Sequence, residues 1–349
     1  MSNLSPRQRR NAYGPNTGKT TIMDESGNVL DDDEQDWPDA DNPSASVWEN
    51  IEGQFAPLPA GRKSAIKFSE LYSWNEDLPG EDFYMPEFDP SYWGEAGARS
   101  IIDWEEVKHY RPRMEQAYHA CLAIRNGESH MSYGKPGTGK TEFYRWLSAR
   151  LGWALFVKEM TPGMEEGDFF GTWTSSDGNL KFKESFLPQA MRLGALTVLD
   201  EVSAGPSDYI VGLNGPAGGG PLTLTGGGAD SLAEAVIEPA ETFRLICLDN
   251  HNGEGDDTGQ FVGTNVLNAA FRDRLTTLIE FKYLEFEEEV EVLRSILPNL
   301  PSELAEYMVG TANIVRQAYE DGSLSMTMSM RTLRVWGAKM LILRDAQKA

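Results

Sequence analysis

The segment Gly134–Thr141 constrains the fold of this chain more than any other stretch, because its sequence GKPGTGKT fits the pattern G-x-x-x-x-G-K-[ST] at every fixed position. In a loop of this kind the glycines let backbone N–H groups turn inward around phosphates. Lys140 then reaches the β and γ oxygens, and the Thr141 hydroxyl completes a magnesium shell. The pattern predicts a site for ATP and Mg²⁺ between a buried strand and a helix.

The residues on either side of this loop bear on that prediction. After it, apolar side chains recur at helical spacing from Phe143 to Leu151. Before it, Ser129–Tyr133 is more polar than a buried parallel strand usually is, which departs from the expected pattern. The predicted nucleotide-binding residues are Gly134, Pro136, Gly137, Thr138, Gly139, Lys140, Thr141 and Glu142.

Three further apolar runs, at residues 154–157, 195–199 and 243–248, are typical of buried strands, and a fourth covers residues 278–281. Strands that alternate with helices predict a parallel sheet covered by helices on both faces. Beyond residue 283 the apolar residues recur only at helical spacing. The predicted fold class is therefore an α/β P-loop domain with a flanked parallel sheet, followed by a small all-helical lid domain.

Composition divides the chain into four parts. Residues 1–62 form a polar arm, basic at first and then strongly acidic, with too little apolar surface to offset the entropy of ordering, so we expect this arm to be disordered. Residues 63–110 are rich in aromatic side chains and are expected to pack on the neighbouring domain. The α/β domain is predicted over residues 111–283 and the helical lid over residues 284–349.

The formal net charge of −23 argues against a broad surface that follows a phosphate backbone, so nucleic acid is not the expected partner. No stretch approaches 18 consecutive apolar residues, and the N-terminal residues lack the apolar core of a signal peptide. These features predict a soluble cytoplasmic protein without a membrane partner.

Two acidic residues end the apolar run at residues 195–199. Asp200 is positioned to hold the magnesium shell, and Glu201 to polarise the attacking water. The pair lies about sixty residues after Lys140, in the order expected for the second half of a phosphate-loop site. We therefore interpret Thr141 and Asp200 as the metal-binding residues and Glu201 as a catalytic residue.

Polar and basic residues follow the later strands. Asn250 comes directly after the run at residues 243–248 and Asp249, at the edge of the sheet where ligands of open α/β folds bind, and could orient water against the γ-phosphate. Arg272 and Arg274 precede the last strand, and Arg331 opens a C-terminal helix. Arginines at such places can neutralise transition-state charge, from the same subunit or from a neighbour.

This order of motifs resembles that of AAA+ ATPases. The block from Asn250 to Gly259, continued by Gly263-Thr264, Leu267-Asn268 and Asp273-Arg274, is similar to the CobS-type members of the MoxR group, the AAA+ subunits of cobaltochelatase. The resemblance spans roughly residues 83–343. Similar sequences also occur in tailed phages.

The resemblance implies an ATP-hydrolysing ring homo-oligomer, expected to be a hexamer, that remodels or activates a protein partner such as a von Willebrand A-type protein. It makes Asn250 the sensor 1 residue, Arg274 the favoured arginine finger with Arg272 in reserve, and Arg331 the sensor 2 residue. It also implies two insertions, at residues 167–183 and 222–237, which face the pore or the substrate side in such rings.

Two other functions stay open at this point. The first is a nucleic-acid motor of the McrB kind, which requires a basic pore surface, and the net charge of −23 weighs against it. The second is a nucleotide-switched scaffold that binds ATP with little hydrolysis, and the presence of Glu201 and Asn250 weighs against it.

Overall fold

The computed structural model describes residues 55–176, 179–224, 236–251 and 266–343, together with one short strand pair near the N-terminus. The chain divides into two compact units, Met1–Gln54 and Phe55–Ala349. In the first unit, β1 (Ile22–Met23) pairs with β2 (Val29–Leu30) in antiparallel fashion. The predicted disorder of the remaining N-terminal arm lies outside the described residues.

The second unit contains all the other elements, numbered here in chain order. Its strands are β3 (Ser64–Lys67), β4 (Tyr84–Glu87), β5 (His130–Tyr133), β6 (Leu155–Glu159), β7 (Gly171–Ser176), β8 (Asn179–Glu184), β9 (Leu196–Asp200), β10 (Leu222–Thr223), β11 (Val236–Ile237), β12 (Arg244–Asp249) and β13 (Thr277–Glu280). Its α-helices are α1 (Phe68–Leu71), α2 (Gly94–Ala98), α3 (Trp104–Val107), α4 (Met114–Asn126), α5 (Lys140–Leu151), α6 (Glu166–Phe169), α7 (Phe186–Leu193), α8 (Ser207–Gly212), α9 (Asn214–Ala217), α10 (Ala269–Arg272), α11 (Phe286–Ile296), α12 (Ser302–Glu320) and α13 (Met330–Leu343). Two 3₁₀ turns cover Pro90–Trp93 and Val202–Ala204. Within the described ranges, no helix is both long and apolar enough to cross a membrane.

A five-stranded parallel sheet in the order β13-β5-β12-β9-β6 forms the centre of this unit. Ile246 of β12 lies opposite His130 of β5 on one side and Val198 of β9 on the other. The strand order places the ends of β5, β9 and β12 next to one another at one edge of the sheet. The predicted α/β fold class with a helical C-terminal part is confirmed.

The polar strand β5 is buried, and a side chain from a helix forms hydrogen bonds with its polar groups. His130 and Ser132 are fully buried. The Tyr144 hydroxyl on α5 lies 2.8 Å from His130 Nε2 and 2.6 Å from Ser132 Oγ. Burial lowers the pKa of His130 to about 4, so its imidazole is neutral at neutral pH. The hydrogen bonds of His130 Nε2 and Ser132 Oγ thus offset part of the cost of placing polar side chains inside a parallel sheet.

The aromatic N-terminal segment packs on α4 and α5. Phe68 and Phe83 stack on each other and meet the Tyr118 ring edge-on. Arg125 of α4 donates to the backbone carbonyls of Tyr84 and Ala56. The compact unit therefore begins at residue 55, a few residues before the composition boundary at residue 62.

The helices α11, α12 and α13 form a lid with an apolar core of its own. Two polar contacts tie it to the segment before α4: Arg113 pairs with Glu285 at 3.1 Å, and His109 Nδ1 lies 3.0 Å from Ser295 Oγ. The buried core residues of the lid are Val290, Leu293, Leu300, Ala305, Met308, Val309, Ala312, Leu333 and Met340.

Candidate functional site

The loop between β5 and α5 has a backbone that requires glycine. Gly134, Gly137 and Gly139 have φ angles of 147°, 84° and 90°, which side chains rarely allow. A Cβ atom at Gly134 would lie 2.1 Å from the Phe281 carbonyl oxygen, and one at Gly137 would lie 2.4 Å from Ser329 Cβ. The glycines therefore let the loop pass close to the end of β13 and to the lid.

Lys140 begins α5 and points back into this loop. Its Nζ donates to the carbonyl oxygens of Gly134 at 2.6 Å and Lys135 at 3.2 Å, and to Asn250 Oδ1 at 3.2 Å. Only 7% of the residue is exposed. Burial lowers the pKa of Lys140 to about 8, although three nearby carboxylates oppose the shift. The amine is thus mostly charged at neutral pH and is held at the centre of the loop.

Thr141 and Asp200 meet at the edge of the sheet. The Thr141 hydroxyl donates to Asp200 Oδ2 at 2.7 Å, which joins the start of α5 to the end of β9. In the described part of the chain, no group of three or more His, Cys, Asp or Glu side chains is placed to hold a metal ion. Magnesium suits such a sparse site, because it usually takes one or two protein oxygens and fills its shell with phosphates and water. Thr141 and Asp200 fit that role.

Glu201 has an unusual backbone. Its φ and ψ of 54° and 48° make it the one residue other than glycine with a positive φ among those described. Its backbone N–H bonds Asp200 Oδ1 at 3.1 Å. The pKa of Glu201 is raised, chiefly because the surrounding protein partly desolvates the carboxylate and then because Asp200 and Glu159 carry like charges. A carboxylate with a raised pKa is a better proton acceptor.

Asp249 is a site residue that the sequence patterns did not single out. It ends β12 and is 2% exposed. Its carboxylate accepts the backbone N–H of Ser203 at 3.0 Å and that of Asn250 at 2.7 Å. Asp249 therefore fixes Asn250 beside Lys140 and ties the end of β12 to the turn after Glu201. The sequence signal that could have identified Asp249 as a site residue is its position at the end of a buried strand.

The other predicted loop residues have local partners. Glu142 lies on the exposed side of α5 and pairs with Arg145 at 3.4 Å. The Thr138 hydroxyl donates to the Lys135 carbonyl at 2.9 Å. The Pro136 carbonyl accepts a hydrogen bond from the Tyr283 hydroxyl. None of these contacts involves Lys140.

The three predicted arginines lie in different places. Arg274 donates to the Ala270 carbonyl and runs past Gly218. Among the described residues, Arg274 forms no hydrogen bond or ion pair with Lys140, Asp200 or Glu201. Arg272 lies on α10, beside a groove of about 310 Å³. Arg331 is exposed in the first turn of α13, two residues after Ser329, which touches the phosphate loop.

Three contacts to the phosphate loop were not predicted from sequence. The Tyr283 hydroxyl donates to the Pro136 carbonyl at 2.7 Å. Lys135 faces Glu320 of the lid at 4.0 Å. The Tyr110 ring packs against Gly139. These residues come from segments far away in sequence, and no local pattern marks them.

The two implied insertions contain antiparallel hairpins. Strands β7 and β8 pair within residues 167–183 and one residue beyond, and β10 pairs with β11 at the two ends of residues 222–237. The glycine-rich tip of the second hairpin, residues 226–230, lies outside the described residues. The same holds for most of the Asn250–Gly259 block and for Gly263-Thr264.

Comparison with known proteins agrees with the geometry. The family model of the AAA domain (dynein-related subfamily) matches residues 131–275. The aerobic cobaltochelatase subunit CobS of Sinorhizobium sp is 29% identical over 301 residues, which cover 81% of this chain and 82% of CobS. Protein NorQ of Paracoccus denitrificans is 24% identical over 198 residues, 54% of this chain and 65% of NorQ. Mouse von Willebrand factor A domain-containing protein 8 is 22% identical over 262 residues, 68% of this chain but 13% of that protein. The parallel sheet, the phosphate loop and these relatives thus confirm that the chain contains an AAA domain and is similar to AAA+ ATPases of the MoxR group, and over most of its length to CobS.

Proposed function

We propose that this chain binds ATP with Mg²⁺ and hydrolyses it, and that it works as a ring of identical subunits that remodels or activates a protein partner. The observation that supports the first part is the 2.7 Å hydrogen bond between Thr141 Oγ1 and Asp200 Oδ2, beside which Asp200 and Glu201 lie close enough to Lys140 to influence its pKa. These four side chains lie near the edge of the sheet where ligands of open α/β folds bind, which supports the proposed site.

Each of these side chains has a chemical task. Lys140 pairs with the β- and γ-phosphates, for which it exchanges its present contacts with the loop carbonyls. Thr141 and Asp200 hold the magnesium ion, which neutralises negative charge on the phosphates when it is bound. Glu201 accepts a proton from the attacking water, and Asn250 orients that water. The raised pKa of Glu201 favours this proton transfer.

Arg274 is proposed to act on the nucleotide of a neighbouring subunit. Among the described residues, the only hydrogen-bond partner of its guanidinium is the Ala270 carbonyl in the preceding turn, and no carboxylate forms an ion pair with it. An arginine supplied in trans stabilises the charge that develops during phosphoryl transfer. Arg331 is proposed to reach the nucleotide of its own subunit, since α13 begins beside the phosphate loop.

The proposed partner is a von Willebrand A-type protein. One relative carries that domain in its own name, and the matched part of this chain corresponds to 13% of that much longer protein. This likeness motivates the proposal of a separate protein with such a domain as the partner. The net charge of −23 favours a protein partner over nucleic acid.

Substitution of Lys140 and Glu201 separates binding from hydrolysis. Lys140→Ala is expected to abolish ATP binding because it removes the charge partner of the phosphates. Glu201→Gln is expected to keep ATP binding while phosphate release falls by about 10²–10⁴-fold, since only the proton acceptor is lost. The matched control is Glu303→Gln, which changes an exposed carboxylate in the first turn of α12.

The measurements are the dissociation constant for ATP and the rate of phosphate release. Undiminished release by Glu201→Gln would show that Glu201 is not the base. ATP binding by the unmodified chain without any release would favour the nucleotide-switched scaffold instead.

A further inference from the structure

Arg316 is a buried cation in the lid that the proposed reaction does not use. It is 4% exposed, and its two Nη atoms form hydrogen bonds of 2.6 Å with the two carboxylate oxygens of Glu289. Its Nε donates to the Met328 carbonyl at 2.7 Å, and an Nη also donates to Asn313 Oδ1 at 2.9 Å. The guanidinium lies over the Tyr283 ring, 4.1 Å from the centroid. One side chain thus joins α11, α12, the segment before α13 and the segment after β13.

Tyr283 continues this chain of contacts to the phosphate loop. Its hydroxyl lies 2.7 Å from the Pro136 carbonyl oxygen and 3.3 Å from Thr327 Oγ1. A carbonyl oxygen only accepts, so the single phenolic proton is donated to Pro136 and Thr327 donates to the phenol oxygen. Burial raises the pKa of Tyr283, so this proton is retained at neutral pH.

The lid segment ordered by Arg316 touches the loop a second time. Ser329 follows Met328, whose carbonyl Arg316 holds, and it packs directly against Gly137. Tyr283 and Ser329 therefore contact the loop at Pro136 and Gly137. Arg331 follows two residues after Ser329, in the first turn of α13, and completes the lid segment 327–331.

A buried ion pair of this kind is weak evidence for a role in stability, because two apolar side chains could hold the lid helices together as well. Apolar side chains could not hold the Met328 carbonyl. Nor could they supply a planar cation to the Tyr283 face. The contacts that only arginine provides are those that lead to the phosphate loop.

We propose that Arg316 and Tyr283 are positioning residues for the nucleotide: together they hold the loop at Pro136 and the lid segment 327–331 in the arrangement that ATP binds. This role rests on the proposed function, since it concerns the same site. We call the contacts that run from Arg316 through Tyr283 and Met328 to the loop the relay. Without the relay, ATP must order the loop and the lid segment as it binds, and the affinity for ATP falls.

The most direct variant is Tyr283→Phe, which keeps the ring under Arg316 and removes only the hydroxyl. Loss of one hydrogen bond to the loop is expected to raise the dissociation constant for Mg-ATP by about 3- to 10-fold. Arg316→Lys removes the bidentate pairing and the planar stacking while it keeps the charge. The matched controls are Tyr307→Phe and Arg334→Lys, at exposed positions of the same lid.

Each variant of the full chain is titrated with Mg-ATP at 20 °C, and its thermal midpoint is measured without nucleotide. A residue that only stabilises the fold lowers the midpoint and leaves the dissociation constant unchanged well below that midpoint. The relay predicts that Tyr283→Phe has a larger dissociation constant for Mg-ATP and a nearly unchanged thermal midpoint. It also predicts that the double variant with Arg316→Lys binds about as tightly as the weaker single variant, because both act through one path.

Unchanged affinity in Tyr283→Phe, beside normal binding by the unmodified chain, overturns the relay and leaves the proposed function standing. The relay is also overturned if the dissociation constant of the double variant rises by the product of the increases in the two single variants. If Arg316→Lys does not fold, Tyr283→Phe alone decides. Absence of ATP binding in the unmodified chain overturns the proposed function, and the positioning role with it.

Discussion

At the scale of single residues, the site concentrates charge where water is partly excluded. Lys140 is buried among loop carbonyls, and three carboxylates limit the fall in its pKa. Glu201 keeps a left-handed backbone that costs an ordinary residue about 1–2 kcal/mol. Such strain persists only where the surroundings fix the chain, here the end of β9 and the turn that Asp249 holds.

The lowered pKa of Lys140 predicts a pH dependence of ATP affinity. Below about pH 8 the free protein carries the charged amine that phosphate binds. Above it the amine is neutral and must take up a proton on binding, so the dissociation constant is expected to rise by up to about tenfold per pH unit. The phosphates themselves ionise near about pH 6 and do not contribute in this range.

Titration calorimetry between pH 7 and 9.5, in buffers of different ionisation heat, measures both the affinity and the proton uptake. Lys140→Arg is the control, since its guanidinium stays charged and its affinity, although weaker, should not fall over this range. A flat profile for the unmodified chain would mean that Lys140 stays protonated throughout.

At the scale of elements, the unit β5–loop–α5 shows how a polar strand enters a parallel sheet. Tyr144 is twelve and fourteen residues away from Ser132 and His130, the two groups to which it bonds. That pairing depends on how α5 packs back on β5, so the strand pattern alone does not indicate it.

Replacement of Tyr144 by Phe is expected to lower the free energy of unfolding by about 1–3 kcal/mol, because His130 Nε2 and Ser132 Oγ then lose a buried partner. Urea unfolding measures this loss. Tyr307→Phe, at an exposed lid position, should change the same quantity by less than about 0.5 kcal/mol. Equal stability of the two variants would show that water or a rearranged partner replaces the hydroxyl.

The elements that could be predicted from sequence are those with a strong local pattern. A local pattern is enough to recognise the periodic helix α5 and the apolar runs that correspond to β6, β9, β12 and β13. The phosphate loop and Asp200 follow from a spacing that the chemistry requires. The contacts of Asp249, Tyr283 and Arg316 depend on which distant segments meet, and no spacing along the chain encodes them.

At the scale of the whole molecule, residues from 55 onward form one compact unit in which the aromatic segment, the sheet and the lid contact one another. Lys140, Thr141, Asp200 and Glu201 lie together in this unit. Arg274 bonds only the turn before it among the described residues. The proposed reaction is therefore complete only when a second copy brings its Arg274 to this site.

Mixing of two inactive variants tests this account most directly. Arg274→Ala is expected to lose about 10³-fold or more in turnover with nearly unchanged ATP affinity, and Glu201→Gln to bind ATP without turnover. When subunits of the two variants exchange, some interfaces regain an intact Glu201 in one subunit and an intact Arg274 in its neighbour. The rate of phosphate release, measured against the mixing ratio, is predicted to exceed that of either variant alone and to peak at an intermediate ratio. Release that never exceeds the more active variant, together with a selective loss of turnover in Arg272→Ala, would contradict the shared site and the assignment of Arg274.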